Sequence, residues 1–136
     1  MWATALLVYH LITGAEVTES SGMLLAAATL VYVGNNISFA LLYWLLDSGG
    51  PLARARGDDL YRDYAFTQHM SPELAPAGWR PVFADYLHLG FTNATAFSPT
   101  DVMPLTLRAK YTMVVHSTVA LALFGLVVAR AVNVFA

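Results

Sequence analysis

Two long stretches without acidic residues constrain the fold of this chain more than any other feature of its sequence. Met23–Leu46 contains no charged residue at all, and the only charge in Tyr111–Phe135 is Arg130, near the end of the stretch. An α-helix needs about 20 apolar residues to cross a bilayer, and a basic side chain near its end can reach the headgroups. The pair Tyr43-Trp44 matches an interfacial aromatic belt. The sequence therefore predicts two full transmembrane helices, at 23–46 and 111–135.

The composition agrees with a membrane protein. Hydrophobic residues make up 57% of the chain and charged residues 12%, whereas a soluble domain has about 25% charged residues. The net charge of −2 gives no reason to expect a nucleic-acid partner, and a chain without cysteine has no disulfide and no thiolate metal site. We therefore expect a single domain, 1–136, of a multi-pass protein in the lipid bilayer of the cell membrane.

The segments before and after the first span are shorter or more polar. Residues 2–13 are apolar, but a helix of that length extends about 18 Å, less than the bilayer core of about 30 Å. We interpret them as a partial helix, either completed by residues that precede this chain or packed as a half-span on the other helices. Residues 48–80 form a polar connector, in which 58–69 is predicted to be a short amphipathic helix.

Residues 81–96 combine an apolar face with a polar face, and a polar turn follows them. Proline at position 81 suits the first turn of a helix, and a helix from there extends only about 21 Å. Two interpretations stay open: a re-entrant half-helix, whose return is buried by protein or lines a water-filled cavity, and a helix lying flat on the membrane. We predict the first. The fold class is then an all-α membrane protein with two full transmembrane helices, a partial N-terminal helix and a re-entrant pore-type half-helix.

The order of helix, polar connector, half-helix, polar turn and second helix resembles the pore module of tetrameric potassium-type channels. The resemblance implies that residues 86–95 are the pore helix, 96–100 the filter and Asp101 the acid that ends it. A potassium filter needs successive inward carbonyl groups, and the sequence Phe97-Ser98-Pro99-Thr100 has proline where the filter has glycine. The resemblance therefore implies a polar path but no potassium selectivity. The candidates for lining it are Thr92, Asn93, Thr95, Ser98, Thr100 and Asp101.

A second resemblance covers most of the chain. The strings FALLYWLLDSGGP (39–51), GWRPVFADYLHLGFTNATAFSPTDVMPLTLRAK (78–110) and ARAVN (129–133) resemble a family of uncharacterised actinobacterial integral membrane proteins. Its members share W-R-P-x-F-x-D-Y-L-Y, followed by T-N-A-T-A-F-S-P-T-D-x-M-P-L-T. His88 stands where the family tends to have tyrosine. The resemblance implies a membrane protein with a longer N-terminus and implies no particular activity.

The basic residues predict the orientation of the chain. Six of its seven lysines and arginines lie in residues 48–110. Because lysine and arginine favour the cytoplasmic side, we expect the connector and the Ser-Pro-Thr-Asp turn on that side. The corresponding loop of potassium channels faces outside, so the charge pattern argues against a simple channel orientation.

Several polar residues fall inside the predicted spans. Asn35, Asn36 and His116 are costly in lipid unless they are paired, so we predict that they are polar partners between helices, with Asn93 and Thr95 opposite the two asparagines. The four histidines show no metal-ligand spacing, and the chain has no nucleophile motif and no glycine-rich phosphate loop. We therefore predict no metal, no cofactor and no catalytic residue.

A stripe of small residues in the last span predicts close helix packing. Thr118, Ala122, Gly125 and Ala129 recur at helical spacing, which allows a neighbouring helix to approach within the fold, in a homo-oligomer or in a membrane complex. Three functions remain. An ion-conducting pore-loop module needs its polar groups to converge on a symmetry axis. A non-conducting scaffold or subunit has them satisfied within one protomer. An intramembrane enzyme needs histidine or aspartate side chains that converge in a cavity.

Overall fold

A computed structural model describes Trp2, Ala5, Leu6 and Tyr9 and residues 21–58, 61–96 and 101–135. The order of elements is α1 (Ser21–Leu46), α2 (Pro51–Arg56), β1 (Tyr64–Phe66), α3 (Thr67–Met70), α4 (Phe83–Ala96), β2 (Val102–Pro104) and α5 (Leu107–Phe135), with 3-10 turns at Asp47–Gly49 and Pro72–Leu74. Most of the predicted partial helix at 2–13 lies outside the described residues, as do Ser98 and Thr100 of the predicted polar path.

The two long helices, α1 and α5, confirm the prediction of two helices long and apolar enough to cross a membrane. The candidate spans are Gly22–Gly49 and Leu107–Ala129, with mean hydropathies of 1.5 and 2.0. Only 28% and 22% of their most apolar stretches are buried, whereas the core helix of a soluble protein is mostly buried. Leu30 and Phe124 are 74% and 69% exposed. Both helices therefore present apolar outer faces that the described residues do not cover.

The last helix starts earlier than its apolar run. α5 begins at Leu107 rather than at the predicted Tyr111. The hydroxyl oxygen of Thr106 accepts a hydrogen bond from the N–H of Ala109 (3.3 Å), as a residue that caps a helix N-terminus does. The cap stabilises a polar first turn that hydropathy alone does not reveal.

Helix α4 packs along α1 in the opposite direction. Tyr86, in its first turn, bonds to Asp47 at the C-terminal end of α1. Gly90 lies further along, against Asn36 and Ala40: a Cβ there would be 3.3 Å from the carbonyl oxygen of Asn36. Glycine at this position therefore permits the close approach of the two helices.

The start of α4 is capped by its own acidic residue. The helix begins at Phe83, and Oδ2 of Asp85 accepts the N–H of Val82 (2.7 Å). A carboxylate in the first turn also interacts favourably with the helix dipole. Asp85 is thus part of a helix start and is not paired with Arg80 or Arg108, the partners that its charge would suggest.

A small antiparallel sheet joins the segments before and after α4. β1 pairs with β2 so that Ala65 lies opposite Met103. The described chain is mostly helical, as predicted, with this sheet as an addition to the predicted helices, and the helix expected at 58–69 is corrected to a strand at Tyr64–Phe66 followed by a short helix at Thr67–Met70. The reason is local: Tyr64 and Phe66 are both buried while Ala65 between them is half-buried, and this alternation is the period of a strand.

The main core lies where α1, α4, α5 and the sheet meet. Neighbouring rings in it contact edge to face, with centroids 5.3 Å apart for Phe66 and Tyr86 and 5.4 Å for Tyr43 and Tyr64, a favourable geometry for aromatic pairs. The tyrosines carry hydroxyl groups into this core, and two polar clusters form around them. The core residues are Phe39, Tyr43, Tyr64, Phe66, Tyr86, Leu89, Val102, Ala109 and Met113.

Candidate functional site

The first polar cluster lies between α1, α4 and α5. The hydroxyl of Tyr43 is 2.8 Å from Nδ1 of His116, and Nδ2 of Asn93 donates to the same hydroxyl oxygen (3.3 Å) and to the carbonyl oxygen of Met113 (2.9 Å). Because the Tyr43 oxygen accepts from Asn93, its own hydrogen is available for His116, whose Nδ1 is then an acceptor. One chain of hydrogen bonds thus links all three helices.

His116 is completely buried in this cluster. Its ring stacks on that of Phe39, with centroids 4.2 Å apart and planes 5° apart. Its Nε2 has no hydrogen-bond partner among the described residues, and the same holds for Nδ2 of Asn35 and Oδ1 of Asn36. The polar side chains predicted inside the spans therefore face the interior of the chain, and each keeps unused hydrogen-bonding capacity.

The observed partners of these groups differ from the predicted ones. Asn93 pairs with Tyr43 rather than with Asn35 or Asn36, and the hydroxyl of Thr95 donates to a carbonyl oxygen one turn back in α4 (2.9 Å). Sequence reasoning missed Tyr43 because an aromatic residue near the end of a span is typical of the membrane interface. Its side chain is instead fully buried, and it is the centre of the cluster.

The residues predicted to line a polar path do not share one environment. Asn93 is 2% exposed, and Thr92 and Thr95 bond to carbonyl groups of their own helix. Asp101 is at the surface, with Oδ2 2.8 Å from Nε2 of His88. The structure therefore brings Asp101 together with His88, while the other described members of the set are satisfied elsewhere.

The second polar cluster surrounds the C-terminal end of α1. Asp47 is 1% exposed. Its Oδ1 accepts the backbone N–H groups of Asp63 (2.8 Å) and Tyr64 (3.2 Å) and the hydroxyl of Ser48 (3.3 Å), and its Oδ2 accepts the hydroxyl of Tyr86 (2.7 Å). One carboxylate thus ties the end of α1 to β1 and to α4.

Asp63 is the second buried carboxylate of this cluster. Arg108 contacts both of its oxygens, Nε with Oδ1 and Nη2 with Oδ2, each at 2.6 Å. The N–H of Ser48 (3.1 Å) and the hydroxyl of Thr106 complete its hydrogen bonds. Burial by itself would raise the pKa of Asp63, but these hydrogen bonds and the charge of Arg108 hold the pKa below its ordinary value.

Arg54 lies on the outer side of this cluster. Its guanidinium donates to the carbonyl oxygen of Trp44, in the last turn of α1, and to that of Asp47, in the 3-10 turn that follows. It also lies over the rings of Trp44 (5.9 Å) and Tyr86 (5.5 Å). A cation at a helix C-terminus is favourable. Arg54 therefore stabilises the end of α1 and contacts the rings of Trp44 and Tyr86 at the same time.

Acid is expected to destabilise the fold through this cluster. The folded-state pKa of Asp63 lies below 3.8, so its contribution to stability is present above that value and is lost as the pH falls through the folded pKa. Burial, and to a smaller extent the charge of Arg62, lower the pKa of His69 below 6.5. Because the unfolded state then binds a proton more readily than the folded state, the folded state also loses stability as the pH falls below 6.5. The melting temperature in detergent should fall from about pH 7 to about pH 3, and Asp63→Asn should flatten the lower part of that curve. A melting temperature independent of pH would contradict this account.

Sequence reasoning missed the second cluster. The signal was an acidic residue directly after an uncharged run, Asp47, but no spacing rule connects it with Asp63 or Tyr86. The oxygens of both carboxylates accept hydrogen bonds within the cluster, so the arrangement joins segments and offers no free general acid or base. No group of three or more His, Asp or Glu side chains placed to hold a metal ion occurs in the part of the chain that the structure describes.

Comparison with known proteins identifies no relative of this chain. No family model, no curated protein and no solved structure matches the chain.

Proposed function

We propose that the chain is a multi-pass integral protein of the cell membrane in which α4 is a re-entrant half-helix. Lipid tails would cover the exposed apolar faces of α1 and α5. α4 has 14 residues, so its length of about 21 Å falls short of the bilayer core of about 30 Å. Asp101 contacts His88, in the second turn of α4, and β2 pairs with β1. These contacts support a return of the chain to the side from which α4 enters.

Within the membrane, we infer that the chain is a non-conducting scaffold or a subunit of a membrane complex. The observation that supports this function is the position of Asn93. Its side chain is buried and donates to Tyr43 and Met113 of the same chain. Its backbone carbonyl oxygen accepts a hydrogen bond from the hydroxyl of Ser117 (3.2 Å). An amide that lined a conducting path would face water and ions. We therefore interpret α4 as a structural plug, fastened to both long helices.

The outer face of α5 supports the predicted homo-oligomer or membrane-complex partner. Thr118, Ala122, Gly125 and Ala129 are all exposed, and a Cβ on Gly125 would meet nothing within 4 Å. Small residues on a lipid-facing surface let a second helix approach closely. This face is where we expect a scaffold to receive its partner.

An ion-conducting pore module is the second candidate function. It is favoured by the exposed polar groups of α4, since Thr95 and the His88–Asp101 pair lie at the surface, where copies of the chain around a symmetry axis would bring them together. It is also favoured by the resemblance to potassium-type pore modules. The proline in the return segment still argues against a potassium filter.

Ion flux separates the two functions. The purified chain would be reconstituted in proteoliposomes beside Asp101→Ala and Asn93→Leu, with circular dichroism as the folding control. For a scaffold we expect potassium, sodium and chloride flux at the level of protein-free vesicles for wild type and Asp101→Ala. Asn93→Leu should lower stability by about 1–3 kcal/mol, because it leaves a buried carbonyl and hydroxyl without a donor. A selective wild-type flux that Asp101→Ala alters would instead establish the pore module.

A further inference from the structure

A cavity of about 550 Å³ lies beside the second polar cluster, at the C-terminal end of α1. Of the residues that the structure describes, three arginines line it, Arg54, Arg62 and Arg80, together with one carboxylate, that of Asp47. With His69 neutral, three positive charges and one negative charge give the wall a net charge of +2. Such a surplus at one cavity indicates an anionic ligand.

The carboxylate does not neutralise these arginines directly. The oxygens of Asp47 accept hydrogen bonds from the backbone of β1 and from Tyr86. The described part of the chain contains no ion pair between Asp47 and an arginine. Among the described residues, none of the three guanidinium groups is therefore neutralised by an ion pair with a carboxylate.

The three guanidinium groups differ in how firmly they are held. Arg54 is fixed by the carbonyl groups of Trp44 and Asp47. Arg80 makes one hydrogen bond to a described residue, to the carbonyl oxygen of Arg54 (3.0 Å), and Arg62 makes none within the described ranges. Because a guanidinium has five N–H donors, Arg62 and Arg80 keep most of theirs for a ligand.

The remaining walls place the cavity at the level of lipid headgroups. Trp44 and Trp79 line it together with the apolar side chains of Val82 and Phe83. Indole rings are enriched where the bilayer meets water, and the candidate span of α1 ends at Gly49. A ligand in this cavity would meet guanidinium groups and an apolar, aromatic wall, an environment suited to an amphiphile rather than to a free anion.

We propose that the cavity binds the phosphate group of an anionic phospholipid, with Arg62 and Arg80 as donors to its oxygens. The planar guanidinium matches phosphate oxygens two at a time, and Arg54 supplies a fixed charge behind them. The predicted cytoplasmic side of the connector is also the side where anionic lipids concentrate. The inference rests on the membrane placement proposed above, which alkaline carbonate extraction of membranes tests independently of any lipid preference.

Lipid retention measured by native mass spectrometry tests this site. The purified chain would be equilibrated with equal amounts of phosphatidylglycerol and phosphatidylcholine, two lipids that differ in net charge. We expect wild type to retain phosphatidylglycerol selectively. Arg62→Gln and Arg80→Gln should each weaken that retention about fivefold. Arg56→Gln is the matched control, because Arg56 is exposed on the same connector and lies outside the cavity.

Three outcomes would overturn the inference. Equal retention of the two lipids by wild type would remove the preference for anionic headgroups. A loss in Arg56→Gln as large as in Arg62→Gln would indicate general surface charge instead of a site. A rise in melting temperature with millimolar inorganic phosphate, without retention of phosphatidylglycerol, would identify the ligand as free phosphate. Arg62 and Arg80 are exposed, so we expect both variants to fold, which circular dichroism checks.

Discussion

Asp47→Ala is expected to lower the free energy of unfolding by about 3–5 kcal/mol. The substitution leaves the N–H groups of Asp63 and Tyr64 and the hydroxyl of Tyr86 without their acceptor in the interior. Each buried polar group that loses its partner costs about 1–3 kcal/mol. Because these groups belong to β1 and α4, the loss should loosen the attachment of both elements to the end of α1.

Denaturant unfolding in detergent, followed by circular dichroism, measures this effect. Asp58→Ala is the matched control, since Asp58 is an exposed aspartate of the same connector. Asp47→Asn should fall between the two, because its amide keeps one acceptor oxygen but loses the charge. If Asp47→Ala and Asp58→Ala unfolded at the same denaturant concentration, the carboxylate of Asp47 would contribute nothing to the fold.

Arg108→Ala is expected to destabilise the chain by a similar amount, about 3–5 kcal/mol. It leaves the carboxylate of Asp63, which is 0% exposed, as an uncompensated buried charge. Arg108→Lys should recover only part of the loss, because one ammonium group cannot reproduce the two-pronged contact of a guanidinium. Lys110→Ala, at an exposed basic residue one position beyond the capped turn, serves as the control and should leave stability within about 0.5 kcal/mol of wild type.

A double-mutant cycle isolates the interaction energy between Asp63 and Arg108. Asp63→Asn combined with Arg108→Ala removes both charges, so the double variant should be less destabilised than the sum of the single variants. Unfolding free energies of the four proteins give the coupling directly. Strictly additive losses would mean that the contact at 2.6 Å contributes geometry but no electrostatic coupling.

The long helices could be predicted from the sequence because hydropathy, the property that decides them, is averaged over a whole stretch of the chain. An uncharged run from residue 23 to 46 is helical and membrane-compatible whichever partners it has. Helix α4 could be predicted for a related reason: its apolar residues recur at helical spacing, and only the first two residues of the predicted helix, 81 and 82, lie outside the observed one. Helix starts were harder to predict, since Thr106, which caps α5, lies before the apolar run that marks this helix in the sequence.

The sheet and the two polar clusters could not be predicted in the same way. Strands of three residues are too short for an alternating pattern to stand out. Asp47, Asp63 and Arg108 meet only through the tertiary fold, and each of them alone is typical of a turn or a solvated surface. Tyr43 was assigned to the interface from its position in the span, although helix geometry turns it toward His116.

The pairing of β1 with β2 fixes the order in which the chain can complete its fold during synthesis. β1 leaves the ribosome before α4, but its partner strand and Arg108, the partner of Asp63, follow α4. Until then α4 is attached through contacts with α1 and through the contact of Tyr86 with Phe66 of β1, and the edge of β1 has no partner strand among the described residues. The contacts on both sides of α4 are therefore complete only when the first turn of α5 has been made. A nascent chain stopped before residue 102 would lack both the partner strand of β1 and Arg108, the partner of Asp63.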